Sequence, residues 1–115
     1  MQIGQAVSAD FYFCDYDMEN NEQVIQDCLE ALRYSGMTVF ETVKHEFDPH
    51  GLTFIAVLAE SHFAVHTYPE HRYMAVDIFT CGSGNPISTI EELRRRFRPL
   101  EHEVNSITRG VKVFG

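Results

Sequence analysis

The sequence predicts an α/β two-layer sandwich, a mainly antiparallel sheet with two helices packed on one of its faces. Three observations carry that expectation. Several stretches alternate apolar and polar residues as strands do, two others repeat their apolar residues at helical spacing, and turn chemistry at 48–51 and 69–72 reverses the chain between neighbouring strands. The order strand, helix, strand, strand, then strand, strand, helix, strand also looks like two related halves, although no sequence repeat has a fixed period.

Residues 5–14 place Val7, Ala9, Phe11 and Phe13 on one face of a first strand. Asn20 or Asn21 then caps a helix whose buried stripe is Val24, Ile25, Cys28, Leu29 and Leu32, and Gly36 supplies the left-handed position that ends it. Met37 to Phe47, rich in β-branched and aromatic residues, reads as a second strand. Asp48-Pro49-His50-Gly51 is a turn, and Leu52 to Ala59, nearly all apolar, reads as a central strand. Phe63 and Val65, then Met74, Val76 and Ile78, mark the two strands of a hairpin turned at Pro69 to Arg72. After a loop at Ser83-Gly84-Asn85, Pro86 opens a second helix with Ser88-x-x-Glu91 as a capping box and Ile90, Leu93 and Phe97 on its buried side. Pro99 stops it, and Glu101 to Phe114 reads as a last strand or hairpin with Val111 and Val113 on one face.

The chain of 115 residues fits one domain, 1–115, with no linker composition that would divide it. A domain of this size leaves much surface exposed, so pairing with a second copy adds burial. The apolar run 54–59 is too short to span a membrane and the start lacks a charged region followed by an apolar segment, so the expectation is a soluble cytoplasmic protein with no membrane partner. Nine Lys plus Arg stand against seventeen Asp plus Glu, a net charge of −8 that disfavours nucleic acid and favours cationic ligands. The basic run Arg94-Arg95-Arg96 with Arg98 reads as a solvated helix face. Three cysteines, without a Cys-x-x-Cys pair, indicate neither a disulfide framework nor a metal site. Cys14 and Cys28 read as small core residues, leaving Cys81 for chemistry.

Groups suited to covalent chemistry concentrate in 59–82: Glu60, Ser61, His66, Glu70 and Cys81. A hairpin here would return His66 and Cys81 toward Ser61. The elements Glu60-Ser61-His62, His66-Thr67-Tyr68-Pro69-Glu70 and Asp77-Ile78-Phe79-Thr80-Cys81-Gly82, with their spacing, closely resemble the self-processing site of the short bacterial form of S-adenosylmethionine decarboxylase. Weaker resemblance extends to Ala9-Asp10-Phe11-Tyr12-x-Cys14-Asp15 and His45-x-Phe47-x-Pro49-x-Gly51. The chain departs from the family's usual pattern at Ala6, where relatives carry a histidine, at Phe54, where they favour a small residue, and at Arg72, where they favour glycine.

The resemblance implies a cofactor made from the chain itself. Decarboxylating an α-amino acid leaves electrons that only a conjugated carbonyl joined to the substrate amine accepts, and Lys44 and Lys112, the only lysines, are not in a pyridoxal-phosphate setting. In the family, the serine matching Ser61 attacks the carbonyl of Glu60, and elimination leaves a pyruvoyl group heading a second chain, so that 1–60 and 61–115 become separate pieces. The resemblance further implies that His66 assists this cut, that Cys81 later donates a proton, that Phe47 and Tyr68 sandwich an adenine, that Glu70 binds the ribose and that Thr53 orients the substrate or the pyruvoyl. His62, facing away from Ser61, reads as structural. The implied activity is decarboxylation of S-adenosylmethionine, supplying the aminopropyl donor of polyamine synthesis, by a homodimer with sites at or near its interface. A pyruvoyl-dependent decarboxylase of ornithine or arginine, and an unprocessed homologue that binds a nucleoside or polyamine, stand as alternatives.

Overall fold

A computed structural model describes residues 1–81 and 84–115; Gly82 of the Thr-Cys-Gly element and Ser83 of the expected loop lie outside the described residues. The strands are β1 (Gly4–Cys14), β2 (Val39–Glu46), β3 (Leu52–Leu58), β4 (Ser61–Tyr68), β5 (Tyr73–Thr80) and β6 (Pro99–Arg109), with helices α1 (Asn21–Tyr34) and α2 (Pro86–Phe97). The sheet runs β2-β3-β4-β5-β1-β6, and every neighbouring pair is antiparallel, as tight turns require for β2 to β5, while β1 takes its place between β5 and β6 by way of connections that carry the helices.

One face of the sheet carries Val7, Ala9, Phe11, Phe54, Phe63, Val65, Met74, Val76 and Ile78, which join Val24, Cys28 and Leu32 of α1 and Ile90, Leu93 and Phe97 of α2 in a single buried core. Cys14 and Cys28 belong to it as the sequence indicates. Among the described residues, nothing covers the opposite face. There Val43, Ile55 and Val57 are 64, 37 and 45% exposed, so the apolar run of β3 reflects two unlike faces, one buried under helices and one open. An apolar patch left open in this way marks an interaction surface.

Four expectations are corrected. Phe13 does not continue the buried row of β1: it takes a left-handed φ of 54° and is 45% exposed, and this kink turns Cys14 inward instead. The second helix is capped by Asn85, whose Oδ1 accepts from the Ser88 N–H at 3.1 Å, while Glu91 pairs with Arg94, so no capping box forms. Val111 and Val113 lie in a 3-10 turn, Val111–Phe114, that follows the left-handed Gly110, because the chain leaves the sheet at Arg109. Arg96 is not merely solvated: it reaches Asp27 at 2.9 Å and Glu92 at 3.1 Å and also bonds Glu30, tying the two helices together.

Candidate active site

The Glu60–Ser61 bond lies in the shortest connection of the sheet. Leu58 pairs with Ser61, which leaves Ala59 and Glu60 as a two-residue turn. Glu60 takes φ 55°, the left-handed region where a side chain clashes with its own backbone and where glycine or asparagine is the usual occupant of the second turn position. Tight pairing on both sides holds it there. The end of β5 closes over this turn: the Cys81 backbone N–H donates to Ser61 Oγ at 3.3 Å, and the Cys81 thiol lies directly against the Glu60 carbonyl oxygen, placed to donate to it. The Glu60 carboxylate lies 3.8 Å from the same sulfur. A nucleophilic hydroxyl, a carbonyl polarised by a thiol and a strained backbone therefore meet at one peptide bond.

His66 is not part of that cluster, which corrects the expected return toward Ser61. Side chains along a strand alternate, and the odd offset of five residues puts His66 on the open face while Ser61 looks toward the helices. At ~3.3 Å per residue the two are roughly 16 Å apart along β4. Among the described residues no imidazole hydrogen-bonds to Ser61 or Cys81.

Instead His66 joins a second cluster at the other end of the sheet. Thr53 faces His66 in the β3–β4 register, and its hydroxyl lies 2.9 Å from His66 Nδ1, fixing the ring. A cavity of about 440 Å³ gathers Phe47, Thr53, His66, Tyr68 and Glu70, every residue that the resemblance assigns to substrate together with the histidine. Phe47 and Tyr68 are half exposed on its walls. Tyr68 also packs against Tyr73, whose phenol is pushed up by burial and by donating to the Asp10 carboxylate. His50 also lines this cavity, which the reading of its segment as a turn did not reveal.

The remaining thiols are unsuited to chemistry. Burial pushes Cys14 up to about 12 and raises Cys28 further. Among the described residues no group of three His, Cys, Asp or Glu is placed to hold a metal ion, and no helix is long and apolar enough to cross a membrane.

A small α/β sandwich whose serine junction sits in a strained turn under a thiol has the architecture of a proenzyme. The particular kind follows from its relatives: the chain belongs to the S-adenosylmethionine decarboxylase family, which it matches over residues 5–110. It is 36% identical over 112 residues to the S-adenosylmethionine decarboxylase proenzyme of Methanococcus maripaludis strain C5, spanning 96% of this chain and 92% of that one. The proenzyme of the same name from Thermotoga maritima is 36% identical over 108 residues, 88% of this chain and 83% of the relative. The crystal structure of the adenosylmethionine decarboxylase from Aquifex aeolicus superposes with a TM-score of 0.87 at 28% identity, over 96% of this chain and 92% of that one. A Trypanosoma brucei AdoMetDC monomer shares the fold, with a TM-score of 0.65 at 19% identity over 87% of this chain and 44% of the longer one.

Proposed function

We propose that this chain is a self-processing decarboxylase of S-adenosylmethionine that cuts itself between Glu60 and Ser61 and works as a homodimer in the cytoplasm. The observation that carries the reading is the Glu60–Ser61 turn, with Cys81 bonded to both sides of the reacting bond.

The cut needs no outside reagent but water. Ser61 Oγ attacks the Glu60 carbonyl carbon, the C–N bond breaks and an ester replaces the peptide. The thiol of Cys81, already on the carbonyl oxygen, supports the negative charge that builds there. Removal of the Ser61 α-proton then expels the Glu60 carboxylate, and water releases ammonia to leave a pyruvoyl group at residue 61. The junction fits that product, because only a hydroxyl residue serves first as nucleophile and then as leaving group. The pyruvoyl group supplies a conjugated carbonyl that condenses with the substrate amine and takes up the electrons released with carbon dioxide. Cys81 remains beside residue 61 and holds the proton that the product carbon requires.

The second cluster supplies recognition: Phe47 and Tyr68 take the adenine between them, Glu70 accepts from the ribose hydroxyls, and the aromatic faces and the acidic chain favour the sulfonium. The two clusters stand at opposite ends of β4, too far apart for one substrate to touch both. A second copy laid on the open face would cover Val43, Ile55 and Val57 and bring the partner's Thr53, His66, Phe47 and Glu70 toward the end of this chain's sheet where the Glu60–Ser61 turn and Cys81 lie, reaching the junction around that end. His66 then acts on the junction across the interface.

Mass spectrometry of the purified protein tests the cut, with residues 1–60 and a pyruvoyl-headed 61–115 expected, and one intact chain expected for Ser61→Ala. A wild-type preparation that stays whole after prolonged incubation defeats the reading. Carbon dioxide release from adenosylmethionine, ornithine and arginine, measured side by side, tests the substrate, and faster turnover of either amino acid removes the adenosine assignment.

A further inference from the structure

The geometry points to His50 as a positioning residue that holds Glu70 in place for the ribose of the substrate. It stands in the turn between β2 and β3, where the backbone reverses through Gly51 at φ 111°. Each of its ring nitrogens faces a carboxylate: Nε2 lies 3.6 Å from Glu70 Oε2, and Nδ1 lies 3.8 Å from Glu19 Oε2. Glu70 belongs to the 3-10 turn Pro69–His71 and Glu19 to the loop before α1, so one imidazole links three connections that no strand pairing joins. His66 enters the same cavity from β4 but is held by Thr53.

Glu70 needs such a partner. Its side chain is 46% exposed, it lies in a three-residue turn with no buried member, and His50 is the one basic side chain within 4 Å of its carboxylate among the described residues. A carboxylate on so short and open a turn samples several rotamers, and a substrate that bonds it must first arrest them. His50 arrests them beforehand. It is itself two-thirds covered and has Glu19 on its far side, so it stands between two carboxylates rather than free in solvent.

This inference rests on the reading that Glu70 binds the ribose, and the experiment separates the two. The probe is 5′-methylthioadenosine, which carries the adenine and ribose but no amine to react, titrated calorimetrically into processed enzyme. Glu70→Gln weakens its binding, which tests the underlying reading alone. His50→Ala weakens it by up to about fivefold, the upper range for an exposed polar contact of this kind. The double variant binds no more weakly than Glu70→Gln by itself, because His50 acts only through that carboxylate. A general structural role would instead multiply the two losses. His50→Gln, which keeps a donor toward Glu70, recovers part of the loss and gives the same comparison where His50→Ala fails to fold. Weakened binding in Glu70→Gln with none in the His50 variants, or multiplied losses in the double variant, overturns the role of His50. Unchanged binding in Glu70→Gln removes Glu70 from the ribose and His50 with it.

Discussion

Replacing Glu60 tests whether backbone strain drives the cut. Glu60 holds a φ of 55° in a turn pinned on both sides by the Leu58–Ser61 pair, so it cannot relax without opening the hairpin. A side-chain-bearing residue in that region costs about 1–2 kcal/mol, and glycine carries almost none of it. If that energy is present in the precursor and released as the peptide unit deforms, Glu60→Gly loses it. At about 1.4 kcal/mol per factor of ten, self-cleavage slows about 5- to 30-fold. Glu60→Ala is the necessary control, because it removes the carboxylate near Cys81 yet keeps the Cβ that clashes. Alanine is expected to process near the parent rate and glycine well below it. The assay is the half-time for conversion of the intact chain to two pieces at fixed temperature, read by gel and confirmed by mass. Glycine cutting as fast as alanine would refute the argument, leaving the Cys81 contacts to account for the rate alone.

Shared sites predict complementation: Ser61→Ala and His66→Ala chains, each unable to process efficiently alone, should cut in a refolded mixture, because a mixed pair joins an intact Ser61 to the partner's intact His66. Failure in a mixture shown to contain mixed dimers would place both residues' action within one chain. Native protein treated with iodoacetamide at pH 8 should be alkylated at Cys81 alone, since burial holds Cys14, at about 12, and Cys28 as thiols; peptide mapping reads the result. Arg96→Ala removes the guanidinium shared by Asp27, Glu30 and Glu92 but leaves Tyr16 and Gln23 on Asp27 and Arg95 on Glu92, and should destabilise the fold by about 1–3 kcal/mol in urea, below the cost of a carboxylate left wholly unpaired.

Periodicity in the sequence located both helices and strands β1, β3, β4 and β5, because each has one face turned to the shared core, whereas the edge strands β2 and β6, exposed almost throughout, were legible only from their β-branched and aromatic content and the breaks that bound them. It failed where geometry departs from a regular element. Phe13 fits the alternation of β1, but a left-handed residue there breaks the phase, and nothing in Phe-Tyr-Phe-Cys signals it. Val111 and Val113 alternate as strand residues do, yet Gly110 has already curled the chain away. Arg96 looked like one member of a charged run because its partners Asp27 and Glu30 sit on the other helix, about seventy residues earlier. The position of His66 is different in kind. The odd spacing from Ser61 already put the two on opposite faces, and a hairpin returns β5 to β4 without bringing the two ends of β4 together. Cys81 does return, because the end of β5 lies beside the start of β4.

The strand order gives the cut a further meaning. With the proposed cut, the piece ending at Glu60 would contribute β1, β2 and β3, and the piece beginning at residue 61 would contribute β4, β5 and β6. In the sheet they interleave, with β1 of the first piece clasped between β5 and β6 of the second and β3 laid against β4. Once severed, the pieces stay together by hydrogen bonds and a common core, and neither retains a whole sheet by itself. What had been a one-chain folding reaction becomes an encounter between two partners, dependent on their concentration. On the proposed chemistry the serine at residue 61 would also have been consumed. A precursor that unfolds before the cut has every chance to refold, whereas a mature molecule that unfolds must find its other piece again. Maturation thus turns a renewable fold into one preserved chiefly by the slowness of its unfolding.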